Sequence, residues 1–414
     1  MRFWGITGTN GKTTTTWIAA EFINADPARK CGYVTTVEVN TGTRRFYTGY
    51  TTPPLKQLKE IFAEMEANGC TDCVMEVSSH AIHQHRTGDT VFSGGVFTNL
   101  SEDHLDYHKT MEAYFDVKLD FARQIAAAHP TTPDMGRRDL PPYVVCLDGG
   151  YGREMFNAVG NLAVNVIPVS IDRNREQSAA FDLSGLQLVG DCNKSNVLCA
   201  AALAEAAGVP HDAIQAVIPT LKPRWGRLEE IVGEEGKGNG EEGKGWKARV
   251  FVDFAHTPDG LEKVLTAVRG EMSSDLRPKT SNLKPSLWVV FGAGGDRDPM
   301  KRPLMGEACA KLADRLVVTS DNPRSEDPMA IIEAILAGIN SNTQTLKHSN
   351  NVFVEPDRKK AIEFALREAG EGDVVIIAGK GHETTQEIKG VKYPFDDREV
   401  VRNFAGVPCG QEGI

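Results

Sequence analysis

No stretch of the 414-residue sequence approaches the roughly 20 consecutive apolar residues that a helix needs to cross a bilayer, so a membrane-embedded protein is excluded. Collagen, coiled-coil and fully disordered classes fail on composition too, because 41% apolar and 25% charged residues make an ordinary globular mixture. Positive charge is not in excess. Lys+Arg 46 against Asp+Glu 56 leaves a net charge of −10, which repels a phosphate backbone and argues against nucleic acid as a partner. A local basic pocket for a small anion stays compatible with that balance. Cysteine is sparse and scattered: Cys31, Cys70, Cys73, Cys146, Cys192, Cys199, Cys309 and Cys409, with Cys70-Thr71-Asp72-Cys73 the only CxxC. No second CxxC or nearby His pair completes a zinc site. Met1-Arg2-Phe3-Trp4-Gly5 has no signal-peptide layout, so a cytoplasmic location with reduced thiols is expected.

The length suggests two or three domains. Short apolar runs alternate with amphipathic ones nearly throughout, which predicts α/β architecture with largely parallel sheets. Strands are expected at 3–7, 74–77, 95–98 and 143–147, with helices at 14–25 and 195–207. Leu55, Leu58, Ile61, Phe62 and Met65 recur at helical spacing before Gly69, a C-capping glycine. A second alternating set follows Pro223, with strands at 250–253, 287–291, 315–319 and 374–378. Its helices fall at 260–268, 303–312, 328–339 and 358–368. The domain boundary is expected near 221–227, giving domains 1–222 and 223–414. Residues 130–142, 233–245 and 273–285 read as mobile surface insertions without chemistry.

The strongest local signal is Gly8-Thr9-Asn10-Gly11-Lys12-Thr13-Thr14 between a strand and a helix. Glycines let successive backbone N–H groups turn toward phosphate oxygens, and the helix N-terminus adds positive potential. Lys12 would reach the β/γ-phosphates and the Thr13 hydroxyl a magnesium ion. The strict GxxxxGK[ST] pattern is not met, since Ile6 stands where its first glycine belongs. Glu76 ends an apolar strand in Met75-Glu76-Val77-Ser78-Ser79-His80, a position suited to magnesium; taken alone it reads equally as a solvated cap. No GxSxG elbow surrounds Ser78 and Ser79. Polar and metal-capable groups crowd 97–108, where His104 and His108 taken singly are ordinary surface histidines. Lys118, on the helix that follows, taken alone reads as part of a solvated face.

Together GTNGKTTT, MEVSSH, FTNLSEDHLDYH and the lysine after them resemble the Mur ligases, ATP-dependent amide-forming enzymes of peptidoglycan synthesis. Gly226-Arg227-Leu228-Glu229, VDFAHTPDGLEKVL, GAGGDRDPMKRPLM, TSDNPRSEDP, GKGHE and FDDREV are similar in the same order, and the set looks like the MurE type. The resemblance implies a P-loop ATP-binding central domain followed by a Rossmann-like C-terminal domain. It implies an ATP-driven ligase adding meso-diaminopimelate to UDP-N-acetylmuramoyl-L-alanyl-D-glutamate through an acyl phosphate. It further implies two Mg2+ ions held by Thr13, Glu76, His104 and a carbamylated Lys118, whose added carboxylate derives from CO2. Asn193, Asn196 and Asp253 match nucleotide-side positions, and Arg227 matches an arginine that meets the γ-phosphate. Thr51, Thr52, Ser78, Gln84 and Arg86 match positions for the muramoyl-dipeptide substrate. Arg297, Asp321, Asn322, Pro323, Arg324, Gly379 and Glu383 match the amino-acid site, where a bidentate guanidinium suits a carboxylate and not a lysine ammonium.

The family also carries an N-terminal uridine-binding domain, whereas the P-loop strand here begins at Phe3. That domain is expected to have been removed, to come from a partner chain, or to be dispensable. Tyr50 stands where the family commonly has a polar residue. A related ligase acting on another acceptor, pseudomurein-type or folylpolyglutamate-synthase-like, and a non-catalytic nucleotide-binding protein are the competing expectations.

Overall fold

A computed structural model describes residues 1–132, 134–172, 181–232, 246–274, 285–341 and 351–404. The expected insertion at 233–245, and 275–284 of the expected insertion at 273–285, lie outside them. Of the expected insertion at 130–142, residues 130–132 and 134–139 are exposed with one 3-10 turn at Arg137–Asp139, Pro141 is buried and Pro142 already opens a strand. The chain divides into two compact units, Met1–Lys222 and Pro223–Ile414.

The first unit is built on strands β1 (Arg2–Thr7), β2 (Cys31–Val34), β3 (Val39–Asn40), β4 (Arg45–Phe46), β5 (Asp72–Glu76), β6 (Phe92–Phe97), β7 (Pro142–Cys146) and β8 (Asn165–Val169). They form one sheet in the order β4-β3-β2-β5-β1-β6-β7-β8, parallel except for the β2-β3-β4 edge. Helices α1 (Lys12–Asn24), α2 (Leu55–Ala67), α3 (Ser79–His83), α4 (Leu105–His108), α5 (Met111–Ala128), α6 (Gly152–Val159), α7 (Asp191–Ala206) and α8 (His211–Val217) connect them. A parallel sheet covered on both faces wants strands apolar on both faces, and β5 is buried at every position. Helix α1 starts two residues earlier than its periodicity implied, because Gly11 turns left-handed (φ 83°) and releases the chain straight into helix at Lys12. The strand at 31–34 and the short β3-β4 pair had no counterpart in the sequence reading, being too short to show a period.

The second unit holds β9 (Glu229–Glu230), β10 (Arg249–Asp253), β11 (Leu287–Phe291), β12 (Arg315–Val318), β13 (Val352–Val354) and β14 (Val374–Ala378), in the order β13-β12-β11-β14-β10-β9. Only β9 runs antiparallel. Helices α9 (Pro258–Ser274), α10 (Lys301–Leu312), α11 (Pro328–Ser341), α12 (Arg358–Glu368) and α13 (Asp397–Phe404) accompany them, with a separate hairpin of β15 (Thr385–Ile388) and β16 (Val391–Pro394). No helix among the described residues is long and apolar enough to cross a membrane.

One polar pair anchors this unit. Arg358 and Asp397 are both fully buried, joined through Nε–Oδ1 at 2.8 Å and Nη2–Oδ2 at 2.7 Å. Nη2 also donates to the Ala378 carbonyl at 2.9 Å and Nη1 to that of Ser320 at 3.3 Å, tying α12 and α13 to the ends of β14 and β12. Arg358→Met strands the Asp397 carboxylate and is expected to cost about 3–5 kcal/mol in denaturant unfolding of the second unit. A loss under about 1 kcal/mol would show that the pair is not the anchor.

Candidate active site

In the first unit the ends of β1, β5 and β6 converge. The loop after β1 is held by the loop after β6: Asn99 Oδ1 accepts Asn10 N–H at 3.0 Å, and Thr9 N–H reaches the Asn99 carbonyl at 2.9 Å. Thr9 Oγ1 lies 3.1 Å from the Tyr114 hydroxyl and donates to the Ser101 carbonyl at 3.2 Å. A Cβ on Gly8 would strike Thr98 Oγ1 at 1.9 Å, and one on Gly11 would strike Asn196 Oδ1 at 2.3 Å. The loop therefore fits only as glycine at both places, with α7 as its back wall. Asn196 accepts from Thr15 Oγ1 at 3.3 Å and donates to Asn193 Oδ1 at 3.3 Å; Asn193 in turn donates to the Val189 carbonyl at 2.8 Å. Thr13 and Thr14 lie in the first turn of α1, whose N–H groups and dipole favour an anion.

Two lysines meet on one carbonyl. Lys12 Nζ donates to Gly8 O at 3.0 Å and Thr9 O at 2.9 Å, while Lys118 Nζ donates to the same Gly8 O at 2.9 Å. Lys118 is 1% exposed and its Nζ sits 4.9 Å over the Tyr114 ring. Burial first, and then the Lys12 charge, pull its pKa well below the usual lysine range, with Asp103 opposing. The bare reading of Lys118 as a solvated helix residue is thus corrected: its neighbours Tyr114, Phe121, Ala122 and Ile125 are the buried stripe of α5.

Glu76 is buried at the end of β5. Its Oε1 accepts Thr13 Oγ1 at 2.8 Å and Thr36 N–H at 2.7 Å, and its Oε2 accepts Thr36 Oγ1 at 3.1 Å. It forms no ion pair among the described residues. A buried carboxylate beside a hydroxyl, satisfied only by neutral donors, is a hard oxygen set that fits Mg2+. His104 stands apart from this pair, with Nε2 3.5 Å from Asp103 Oδ2 and its ring edge-on to His80 at 5.0 Å. Desolvation by the surrounding protein lowers its pKa against Asp103, helped by Lys12, His80 and Lys118, so the imidazole is neutral near pH 7. Among the described residues no three His, Cys, Asp or Glu side chains are grouped as a metal cage.

The neighbours of Glu76 include several of the substrate-side residues. Thr52 Oγ1 donates to the Glu76 carbonyl at 2.9 Å and accepts Ser78 N–H at 3.0 Å; Thr51 Oγ1 lies within hydrogen-bond distance of Thr36 Oγ1, at 3.0 Å. Gln84 and Arg86 lie further out, bonded to each other at 2.8 Å, with Gln84 also reaching the Tyr107 hydroxyl at 3.2 Å. Thr36, Asn99, Ser101 and Tyr114 were not singled out as site residues; Thr36 carries no motif at all.

In the second unit Asp253 ends β10 and is buried, its oxygens taken by Ala255 N–H at 2.7 Å and Leu228 N–H at 2.6 Å. Burial raises its pKa against the Arg227 charge and those two bonds. Arg227 lies 4.4 Å over the Phe254 ring, which also meets His256 and His382. Burial and then Arg227 push the His382 pKa down to about 3.

Asp321, Asn322, Pro323 and Arg324 follow β12, and Gly379 to Glu383 follow β14. Asn322 Nδ2 donates to Glu383 Oε2 at 2.8 Å. Gly379 approaches so closely that a Cβ there would meet Asp321 Oδ2 at 2.4 Å. The Pro323 carbonyl lies where a Cβ on Gly295 would be, at 2.0 Å, and Gly295 N–H bonds to the Asn322 carbonyl at 2.9 Å. Arg324 Nη1 donates to the Gly295 carbonyl at 2.6 Å and its Nε is 3.8 Å from Glu387 of the β15–β16 hairpin. Arg297 is exposed and its Nη1 turns to the Asp296 carbonyl at 3.0 Å, away from this cluster's hydrogen bonds.

The Mur ligase middle domain family matches residues 6–204, and the family described as Mur ligase, glutamate ligase domain matches 240–381. The chain is 38% identical to the UDP-N-acetylmuramoyl-L-alanyl-D-glutamate--2,6-diaminopimelate ligase of Synechococcus elongatus, over 97% of this chain and 76% of that one. It is 37% identical to the ligase of the same name from Aquifex aeolicus, over 97% and 77%. A solved structure of a ligase of that name matches with TM-score 0.58 at 31% identity, covering 98% of this chain and 78% of the other. The Mycobacterium tuberculosis folylpolyglutamate synthase complexed with ADP, at 17% identity and TM-score 0.58 over 91% and 87%, shares the fold alone. The glycine-rich loop held by the loop after β6, the buried carboxylate and lysine beside it, and these matches across nearly the whole chain lead to one assignment: the protein belongs to the Mur ligase family.

Proposed function

We propose that the protein is an ATP-dependent ligase that joins meso-diaminopimelate to UDP-N-acetylmuramoyl-L-alanyl-D-glutamate in peptidoglycan synthesis, working in the cytoplasm where ATP and the nucleotide-linked acceptor are available. The observation that carries this reading is the joining of Arg324 and Glu383 into one strand-end cluster through Asn322, Gly295 and Glu387. A guanidinium and a carboxylate in one cluster answer the carboxylate and ammonium of a second amino-acid head group, which diaminopimelate has and lysine lacks.

Lys12 and the N–H groups of 8–14 hold the phosphates of ATP, with Asn193 and Asn196 behind them; within the second unit, Asp253 and Arg227 are the nucleotide-side residues. Thr51, Thr52, Ser78, Gln84 and Arg86 hold the acceptor, whose free carboxylate takes the γ-phosphoryl group to give an acyl phosphate and ADP. The amine of diaminopimelate then attacks the acyl carbon, and phosphate leaves as the amide forms. Thr13, Glu76, His104 and a carbamylated Lys118 would hold two Mg2+ ions, which supply neutralisation of the phosphoryl oxygens. Positioning and charge stabilisation are the protein's contribution.

Phosphate release with ATP, magnesium and the UDP-muramoyl dipeptide, compared between meso-diaminopimelate and L-lysine, tests this. The wild type should turn over with diaminopimelate and reject lysine. Arg324→Ala leaves a desolvated carboxylate unanswered, a cost of about 2–5 kcal/mol, so KM for diaminopimelate should rise steeply while that for ATP barely moves. Equal kcat/KM for the two amino acids in the wild type would remove the specificity claim.

A further inference from the structure

Lys380, the second residue of GKGHE, has no part in the mechanism above, yet it is completely buried. Its Nζ lies 2.9 Å from Glu383 Oε2 and 3.3 Å from Asn322 Oδ1. An ammonium taken out of water is costly unless an anion answers it, so the pair constrains both members. Asn322 Nδ2 donates to the same Glu383 Oε2, and Asn322 Oδ1 is also held by Glu387 N–H at 2.9 Å. One carboxylate oxygen therefore takes two donors from fixed directions. Oε1 has no hydrogen-bond partner among the described residues, and the Glu383 side chain is 34% exposed.

We propose that Lys380 is a positioning residue for amino-acid recognition: it acts through Glu383, turning that carboxylate so that Oε1 is presented to an ammonium group of the incoming diamino acid. This rests on the reading of the second unit as a diaminopimelate site. Asn322 is the go-between, since it touches Lys380, Glu383 and the hairpin that carries Glu387. Lys380 itself, wholly covered, does not touch the ligand.

Steady-state kinetics of the full chain with ATP, magnesium, the UDP-muramoyl dipeptide and meso-diaminopimelate tests the proposal. Lys380→Met should raise KM for diaminopimelate about tenfold or more while KM for ATP stays within about twofold, and Lys380→Arg should recover part of the loss. A lysine that only stiffened its loop would not give that split or that rescue. Because Lys380→Met strands a carboxylate, the double variant Lys380→Met/Glu383→Gln, which leaves no unpaired charge, is compared with Glu383→Gln alone. Acting only through Glu383, Lys380 should add less than about twofold to the diaminopimelate KM of Glu383→Gln. A large further rise in the double variant, or an unchanged diaminopimelate KM in a folded Lys380→Met, overturns the proposal and leaves the function standing. Wild-type turnover independent of diaminopimelate overturns both.

Discussion

Lys118→Ala is expected to lose about 10²-fold or more in turnover while keeping its fold. The side chain is buried against the Gly8 carbonyl and the Tyr114 ring, with the Lys12 ammonium on the same carbonyl. Burial penalises the charged form of Lys118 and the Lys12 charge on the same carbonyl adds repulsion, so its pKa is pulled well below the usual lysine range and the neutral amine is favoured over that of an exposed lysine. A neutral amine is what CO2 requires: the N–C bond forms, a proton departs, and a cation position becomes an anion position. On the proposed function such a carbamate would offer oxygen to a magnesium ion. Equilibration with 13C-labelled bicarbonate should give a carbamate resonance in the wild type that is missing in Lys118→Ala, and added acetate or formate should restore part of the variant's rate. A wild type without that resonance, or a variant turning over normally, would sink the assignment.

Lys12→Ala should be comparably severe, with a loss of about 10²- to 10³-fold in rate. Its ammonium curls back onto the Gly8 and Thr9 carbonyls, a pose that keeps the charge inside the glycine-rich loop. Charge on transferring phosphoryl oxygens must be stabilised throughout the reaction, and no other residue of the 8–14 loop carries a positive charge. Phosphate release and calorimetric nucleotide binding on the same preparation check this. Near-normal turnover would remove the phosphate role from the loop.

The strands at 287–291 and 374–378 and the helix at 358–368 were legible to the residue, because each is a run of one clear period between punctuating Gly, Pro or Asp. The glycine-rich turn announced itself through composition alone. Lys118 did not, although the signal was present: Tyr114, Lys118, Phe121, Ala122 and Ile125 fall on one helical stripe, and a lysine on an apolar stripe is an anomaly. Thr36 was unreadable in principle, since its contact with Glu76 depends on how β2 lies beside β5, a pairing across 40 residues. The β15–β16 hairpin was missed because its residues are largely exposed and show no alternation, so hydrophobicity says nothing about it.

Arg324 occupies left-handed backbone, with φ at 51°, and both its peptide groups are claimed by the hairpin: its N–H bonds to the Glu387 carbonyl at 3.0 Å and its carbonyl accepts Lys389 N–H at 2.6 Å. Left-handed geometry admits glycine and asparagine readily and resists β-branched residues. The side chain at 324 is therefore separable from the backbone that displays it. A substitution at 324 that tolerates left-handed backbone would change the side chain on display while the hydrogen bonds to the hairpin stay in place.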